Sequence, residues 1–549
     1  MRPPAFPGIW RDDERARAAY AEGAGIYRII PRAVAIPATT AAVLAVVRWA
    51  AANEVPLVPR GAGSGMPGHN VGDGVILDLS VLDGAPLRID TERLEAITGS
   101  AVRLATLEDY AGRQGLRMPV DPSSARWATV GGVVSTNASG SRTVKYGPVR
   151  RWVVGLTMVT ATGSIVRLDR GGEESEGVDW LPGASELGAA VRQARWRVDA
   201  SFPKVRKNTA GYALDHYAES GDLVDLVIGA EGTLGIVTEV TWRLEPIPRL
   251  RVGVRAAVRD IRRLGALVPA ILELAPSRVE FLDASFLGFV GDAVRALPRG
   301  DRLASGAALL MIELEGEDQG ALERELERAV GIVRADSADV EIGRREAEVD
   351  ALWALRHAAS SKLARLGDSL RSLQVIEDAC VPIAKLGDYL VAVRAIADQR
   401  RIPVVMFGHA GDGHVHANLL PDISRGDWED AVRAVFEDVS RLVVALGGSP
   451  SGEHGDGRLR AGLVERVYPP EVADLFQRVK TTFDPAGIFN PGVKIVLDHG
   501  SPIGRLKVGA GAVPLAPEIE AGLRRIERDG GYAIARLQLA DDPLASSAR

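Results

Sequence analysis

Val405-Met-Phe-Gly-His-Ala-Gly-Asp-Gly-His-Val-His-Ala-Asn418 and Ser451-Gly-Glu-His-Gly-Asp456 concentrate the side chains best suited to chemistry. The chain has 8 histidines in 549 residues, and His409, His414 and His416 fall in the first stretch. His454 stands next to Glu453 in the second. Imidazole is the commonest metal ligand and the usual general base near neutral pH. Glycines flank both stretches, and glycine lets a ligand approach the backbone closely. If Val415 lies in a strand, His414 and His416 point to one face, with His409 entering from the preceding loop. Taken alone, each stretch is equally open to reading as a glycine-rich turn with surface histidines. Together they favour a site.

The rest of the chain must supply the elements that position these residues. At 549 residues it exceeds a single core, so two or more domains are expected. Hydrophobic content of 46% and charged content of 25% are those of an ordinary soluble protein. The net charge of -6 comes without a basic block, which argues against a nucleic-acid partner. Cys380 is the only cysteine, so neither an internal disulfide nor a Cys-ligated iron–sulfur cluster can form. No apolar run approaches the ~20 residues that span a bilayer, and no signal-peptide core follows Met1. The expected location is the cytoplasm, at most peripheral to the inner face of the membrane.

Ala33 to Pro37 reads as a strand, followed by a helix capped by Thr39 or Thr40 and then a strand over Val55 to Val58. The small-residue loop Arg60-Gly-Ala-Gly-Ser-Gly65 comes next, ahead of a strand over Val75 to Leu79. This is the grammar of a nucleotide-binding α/β unit. The loop lacks both the Rossmann Gly-x-Gly-x-x-Gly spacing and the Gly-Lys-Ser/Thr ending of a P-loop. Its amides could form a nest for a pyrophosphate, with a plain flexible loop as the alternative. Pro119 to Ser124, Thr129 to Gly140 and Lys145-Tyr-Gly147 follow, with a strand around Val153 to Thr160. Residues 170–196 read as an acidic surface excursion. Lys207-Asn-Thr-Ala-Gly-Tyr212 precedes Leu226 to Val237, read as a buried strand, a turn and another strand. Between about 250 and 450, strands (Leu309 to Leu314, Val404 to Phe407) alternate with amphipathic helices (Gly320 to Val333, Lys385 to Arg400). An antiparallel sheet covered by helices is the natural reading.

Arg60 to Gly65, Pro119 to Ser124, Thr129 to Gly140 and Gly229-Ala-Glu-Gly-Thr-Leu-Gly-Ile236 resemble the flavin-binding domain of the vanillyl-alcohol oxidase and p-cresol methylhydroxylase superfamily. Gly408 to Gly413, Ser451-Gly-Glu-His454 and Phe483-Asp-Pro-Ala-Gly-Ile-Phe-Asn-Pro-Gly492 narrow the resemblance to its FAD-linked D-2-hydroxyacid dehydrogenases. These are the D-lactate dehydrogenase, glycolate oxidase flavoprotein subunit and D-2-hydroxyglutarate dehydrogenase branch. The match runs over roughly residues 30–497.

The resemblance implies an α+β fold: a two-subdomain FAD-binding domain and an antiparallel-sheet cap over the flavin ring. It sets the FAD-binding domain at 1–248, the cap at 249–455, a return to the FAD domain at 456–497 and an extension at 498–549. The extension carries a helix over Pro514 to Asp529 that either docks on the flavin domain or meets a partner. FAD, held without a covalent link, would lie on Arg60, Gly61, Ala62, Gly63, Ser64, Gly65, Asp121, Pro122, Ser123, Thr129, Gly131, Gly132, Asn137, Gly140, Tyr146, Glu231, Gly232, Ile236, Val237 and Asn490. His409, His416 and Glu453 would hold a divalent metal, zinc first, with manganese or iron(II) as alternatives. His454 would take the hydroxyl proton, Arg356 of Trp353-Ala-Leu-Arg356 would grip the substrate carboxylate, and Asn418 would assist. His414 is left as a ligand's neighbour or the next candidate base. Gln374 to Pro382 resembles the strand leading into the cap. A lysine for a second carboxylate is expected there, but Ile376 stands in its place, which speaks against a dicarboxylate. The reaction implied is oxidation of a D-2-hydroxy acid to its 2-oxo acid. The alternatives are an alcohol or sugar substrate on the same fold, or a flavin subunit of a larger redox complex. Electrons would leave to a separate acceptor: an iron–sulfur subunit, an electron-transfer flavoprotein or a quinone-linked protein. A homodimer is one assembly open to the chain.

Overall fold

The computed structural model describes residues 3–171, 180–297, 299–357, 366, 369–497 and 500–541. The parallel core of the first sheet comes from strand–helix–strand grammar. Ala33–Pro37 and Leu57–Arg60 both pair in parallel with Val75–Asp78, and Gly8–Arg11 adds an antiparallel edge. The connecting helix Thr40–Ala52 is capped by Thr39, whose hydroxyl accepts the Ala42 amide at 3.2 Å. It buries Val43, Val46, Val47 and Ala50 against the sheet.

A second, five-stranded sheet is antiparallel throughout. Its order is Arg88–Asp90, Glu95–Gly99, Ile236–Arg243, Val153–Val159 and Ile165–Asp169. The stretch preceding its central strand departs from the sequence reading. Leu226 and Val227, expected to open a strand, instead end the short helix Leu223–Val227. An apolar run of that length carries no distinguishing period, and Asp225 decides the matter. Its carboxylate accepts from Arg150 at 3.0 Å and Arg170 at 2.8 Å, which the helical turn allows. Residues 172–179 of the expected acidic excursion lie outside the described residues.

The third sheet has seven antiparallel strands in the order Ser337–Gly343, Leu250–Val258, Ala308–Gly316, Arg278–Asp283, Val404–Gly408, His414–Leu419 and Ala379–Cys380. Strand Ala308–Gly316 is buried on both faces from Ala308 to Leu314, so it reads as a nearly continuous apolar run. Leu310, Ile312 and Leu314 pack on the helices Leu264–Leu272 and Gln319–Arg334, while Leu309 and Met311 face the opposite cluster with Phe286 and Trp353. Helix Gln319–Arg334 shows why it covers the sheet. Leu322, Leu326, Ala329, Val330 and Val333 form one apolar stripe, and Asp318 caps the start. The expected strand over Gln374 to Pro382 shrinks to Ala379–Cys380 at the sheet edge. The preceding residues turn because the Asp378 carboxylate accepts the Glu453 amide at 2.9 Å and the His454 amide at 3.1 Å. Ile376 is buried in the apolar core, and Gln374 lines the cavity described below.

Helix Pro470–Phe483 returns to the second sheet's core through Val472, Leu475, Phe476 and Val479. The C-terminal helix Pro517–Asp529 docks on the chain's own N-terminal part, where Arg28 pairs with Glu520 at 2.5 Å. No helix among the described residues is long and apolar enough to cross a membrane.

Candidate active site

A cavity of about 930 Å³ runs between the glycine-rich loops and the third sheet, near the upper end of ordinary ligand sites. Gly61, Ala62, Gly63, Ser64 and Gly65 line one end with Thr129, Gly131, Gly132 and Gly140. Asp121, Pro122, Ser123, Glu231, Gly232, Ile236 and Val237 complete that wall. Glycine is needed here for space. A Cβ on Gly61 would lie 2.2 Å from the Thr129 hydroxyl, and one on Gly140 would lie 2.4 Å from the Asp121 carbonyl oxygen. Such bare, closely spaced backbone suits an elongated cofactor with a pyrophosphate.

Several expected cofactor residues support the wall instead of offering side chains to the cavity. The Arg60 guanidinium turns inward and donates to the carbonyls of Glu22, at 2.9 Å, and of Tyr20 and Asn70. Glu231 accepts the amides of Asp456 and Gly457, both at 2.8 Å, and pairs with Lys494. Three do not line the cavity at all. Asn137 holds a left-handed backbone (φ 49°), and its side chain accepts the Arg150 amide. Asn490, also left-handed (φ 44°), donates to the carbonyls of His69 and Glu231. The Tyr146 hydroxyl donates to Glu315 at 2.5 Å and accepts from Arg117. Their polar groups satisfy buried neighbours, which is why they turn away.

The other end of the cavity is lined by charged groups. His409 follows the strand Val404–Gly408, while His414, His416 and Asn418 share one face of the neighbouring strand. His409 Nε2 lies 3.3 Å from Glu453 Oε1 and 3.4 Å from His416 Nε2, and His416 Nε2 is 3.5 Å from the same oxygen. His454 Nε2 stands 3.6 Å from it, and Arg356, Asn418 and His454 also line the cavity. The structure thus gathers His409, His416, Glu453, His454, Arg356 and Asn418 in one place.

Each imidazole is steered by a partner behind it. His409 Nδ1 contacts Glu280, whose other oxygen accepts from Arg356 Nε at 2.8 Å. His416 Nδ1 donates to the Glu377 carbonyl at 3.0 Å, and His414 Nε2 donates to Asp378 at 3.0 Å. His454 Nδ1 meets the Glu377 carboxylate at 2.5 Å. Arg460 bridges both of these carboxylates at 3.0 Å. Lys207, fully interior, donates to Glu453 Oε2 at 2.7 Å. Tying the outward nitrogen to an acceptor leaves the inward lone pair for a cation, the usual arrangement around metal-bound histidine.

The electrostatics agree. Burial holds His416 well below its ordinary value, and the neighbouring imidazoles add to this. Burial opposes charge on His409, but Glu280 and Glu453 raise it to about 9. Burial likewise opposes charge on His454, yet Glu377 and Asp378 raise it to about 10. Glu453 is held well below the carboxylate range against its burial, first by Lys207 and then by His409. The carboxylates thus draw positive charge into the cluster. His409, His414, His416 and Glu453 bring donor atoms within 4.8 Å of one another, so the residues fit a metal ion.

Glu280, Lys207, Glu377, Asp378 and Arg460 were not singled out from sequence. Lys207 and the Glu377–Asp378 pair sit inside noted stretches but carry no ligand spacing. Glu280 had one available signal: a carboxylate in the apolar strand Arg278–Asp283 must have a buried partner. The C-terminal extension also reaches the cavity, with Lys507, Arg524 and Tyr532 in its wall, and Tyr532 lies 6.3 Å from the Trp127 ring.

Residues 31–169 match the family model described as FAD binding domain, and residues 247–493 match that described as FAD linked oxidases, C-terminal domain. The glycolate oxidase subunit GlcD of Bacillus subtilis is 31% identical over 478 residues, covering 86% of this chain and 90% of that protein. A D-lactate dehydrogenase of Archaeoglobus fulgidus is 30% identical, covering 84% of this chain and 92% of its own. The D-2-hydroxyglutarate dehydrogenase of Escherichia coli is 27% identical over 88% of this chain but only 50% of that longer protein. Among solved structures, 4-ethylphenol oxidase from Gulosibacter chungangensis superposes with a TM-score of 0.64 at 15% identity, covering 89% of this chain and 94% of that one.

Proposed function

Because this chain belongs to the family of FAD-linked D-2-hydroxyacid dehydrogenases, we propose that it oxidises a small D-2-hydroxy acid of the lactate, glycolate or 2-hydroxyglutarate type to the 2-oxo acid. One observation carries the reading. A single cavity joins a glycine-lined cradle to a cluster of imidazoles and one carboxylate, with an arginine beside them.

FAD, bound without a covalent link, supplies a hydride acceptor at the flavin N5. A divalent metal supplies a Lewis acid that makes the substrate hydroxyl more acidic. His409 Nε2, His416 Nε2 and Glu453 Oε1 would hold that metal. Arg356, fixed by Glu280 and lying over the Phe407 ring at 4.7 Å, would present its planar guanidinium to the substrate carboxylate. Asn418, whose side-chain oxygen accepts from Ser372 at 3.5 Å, would steady the hydroxyl or the carboxylate.

His454 would take the hydroxyl proton. Glu377 and Asp378 favour the charged ring against its burial, and a nearby cation opposes it, so the role belongs to the metal-loaded protein. Electrons would then pass to a separate protein acceptor.

The test is anaerobic flavin reduction against a panel of D- and L-2-hydroxy acids, with metal analysis of the same sample. Reduction by a D-acid, with one divalent ion per flavin, is the expected result. No reduction by any member of the panel would defeat the reading. Acid precipitation should leave yellow FAD in the supernatant; a yellow pellet would point to His69, which lies against Gly65 in the cavity wall.

A further inference from the structure

We infer that His414 is a fourth protein ligand of the metal, binding through Nδ1, so that three imidazoles and one carboxylate make up the donor set. The inference rests on the preceding reading that His409, His416 and Glu453 hold a metal, and it extends that set.

The His414 ring is wholly buried. Its Nδ1 finds no hydrogen-bond partner among the described residues. An unmet buried polar atom is costly, so its persistence calls for an explanation. The ring cannot relieve itself by flipping, because Nε2 donates to Asp378 Oδ1 at 3.0 Å. Asp378 is itself clamped by Arg460 at 3.0 Å and by the amides of Glu453 and His454. A hydrogen on Nε2 leaves the lone pair on Nδ1.

That lone pair faces the cluster. Nδ1 lies 4.0 Å from Glu453 Oε1, the oxygen that His409 and His416 already face. All four donor atoms fall within 4.8 Å of one another, and donors about 2.0–2.2 Å from a common ion are roughly 3–4 Å apart. The His414 and His416 rings meet nearly at right angles (84°) with their centroids 4.7 Å apart. Gly452 is what lets the chain pass this close, since a Cβ there would come within 2.4 Å of the His414 ring.

The site would then differ from the usual catalytic zinc arrangement of three protein ligands and one open position. The imidazole-rich set selects zinc, iron or another late first-row ion over magnesium or calcium.

Zinc-edge X-ray absorption on the FAD-loaded protein carrying one equivalent of zinc counts the imidazoles directly. Three are expected in the wild type and two in His414→Leu, with zinc bound about tenfold more weakly or worse in the variant, at least the loss seen for a ligand's supporting partner. Two imidazoles in the wild type, or unchanged zinc affinity in the variant, would overturn the assignment. Failure of the wild type to take up zinc or any divalent ion would instead remove the reading beneath it. If His414→Leu does not retain FAD, the wild-type count alone still decides.

Discussion

The two ends of the cavity are built on opposite principles. The glycine-rich end has little side chain to offer. Gly61, Gly131 and Gly140 stand where any Cβ would collide, and the charged residues nearby hold groups behind the wall, Arg60 backbone carbonyls and Glu231 two backbone amides and Lys494. The histidine end is all side chain: His409, His416 and Glu453 face one another, and each rests on a buried partner from another segment. Shape is made locally, by what a segment omits, whereas a charged cluster is made globally, by residues hundreds of positions apart. Substitutions should therefore act differently at the two ends, on retention of FAD at one and on chemistry at the other.

The sharpest break between them is His409→Ala. It should lose the metal and bring substrate-driven flavin reduction to background, while FAD stays bound and the protein remains yellow. Metal analysis with stopped-flow spectroscopy reads both. Loss of FAD along with the metal would mean the two ends are not independent. Next in size is His454→Ala, expected to keep both FAD and metal and to slow flavin reduction by ~100-fold or more, the scale of losing a general base. Reduction at the normal rate would move the base elsewhere in the cluster.

The same contrast explains what could be read from the chain beforehand. The glycine loops and the helix stripe Leu322-Leu326-Val330-Val333 were legible because their causes are local. The three histidines were legible because their spacing is short. Glu280, Lys207 and Asp378 were not, because their roles depend on partners such as His409, 129 residues from Glu280, and Glu453, 246 residues from Lys207. The strand expected from Leu226 is instead the last turn of helix Leu223–Val227, because a short apolar run has no period, and the ion pair of Asp225 with Arg150 sits on that turn. Asn137 and Asn490 were placed in the cavity by resemblance, but left-handed backbone and buried carbonyls or amides claim them.

Glu280→Gln probes the border, since one carboxylate holds both Arg356 and His409. Metal affinity should fall by about 10–100-fold, as when a ligand's partner is changed, and the KM for the hydroxy acid should rise together with it. A change in metal affinity alone would detach Arg356 from substrate binding. At the other end, Gly140→Ala must push the 140 loop away from the Asp121 carbonyl, 2.4 Å from the new Cβ. FAD should dissociate more readily on gel filtration, while apo-protein reconstituted with excess FAD recovers its rate of flavin reduction. A lasting loss of rate after reconstitution would show that this loop also shapes the chemistry.

The smallest expected effect comes from Tyr146→Phe, and it separates support from contact. The sequence resemblance places Tyr146 on the cofactor; the structure turns its hydroxyl to Glu315 at 2.5 Å, with Arg117 at the same distance. Glu315 belongs to the strand Ala308–Gly316 and Arg117 to the segment before Asp121, so the hydroxyl ties the third sheet to the cofactor side. Removing it leaves Glu315 still paired with Arg117 at 3.1 Å, which softens the loss to about 1–2 kcal/mol. Thermal unfolding should therefore begin a few degrees lower, and FAD affinity measured by fluorescence titration should stay within twofold of wild type. A large drop in FAD affinity at unchanged thermal stability would return Tyr146 to the cofactor.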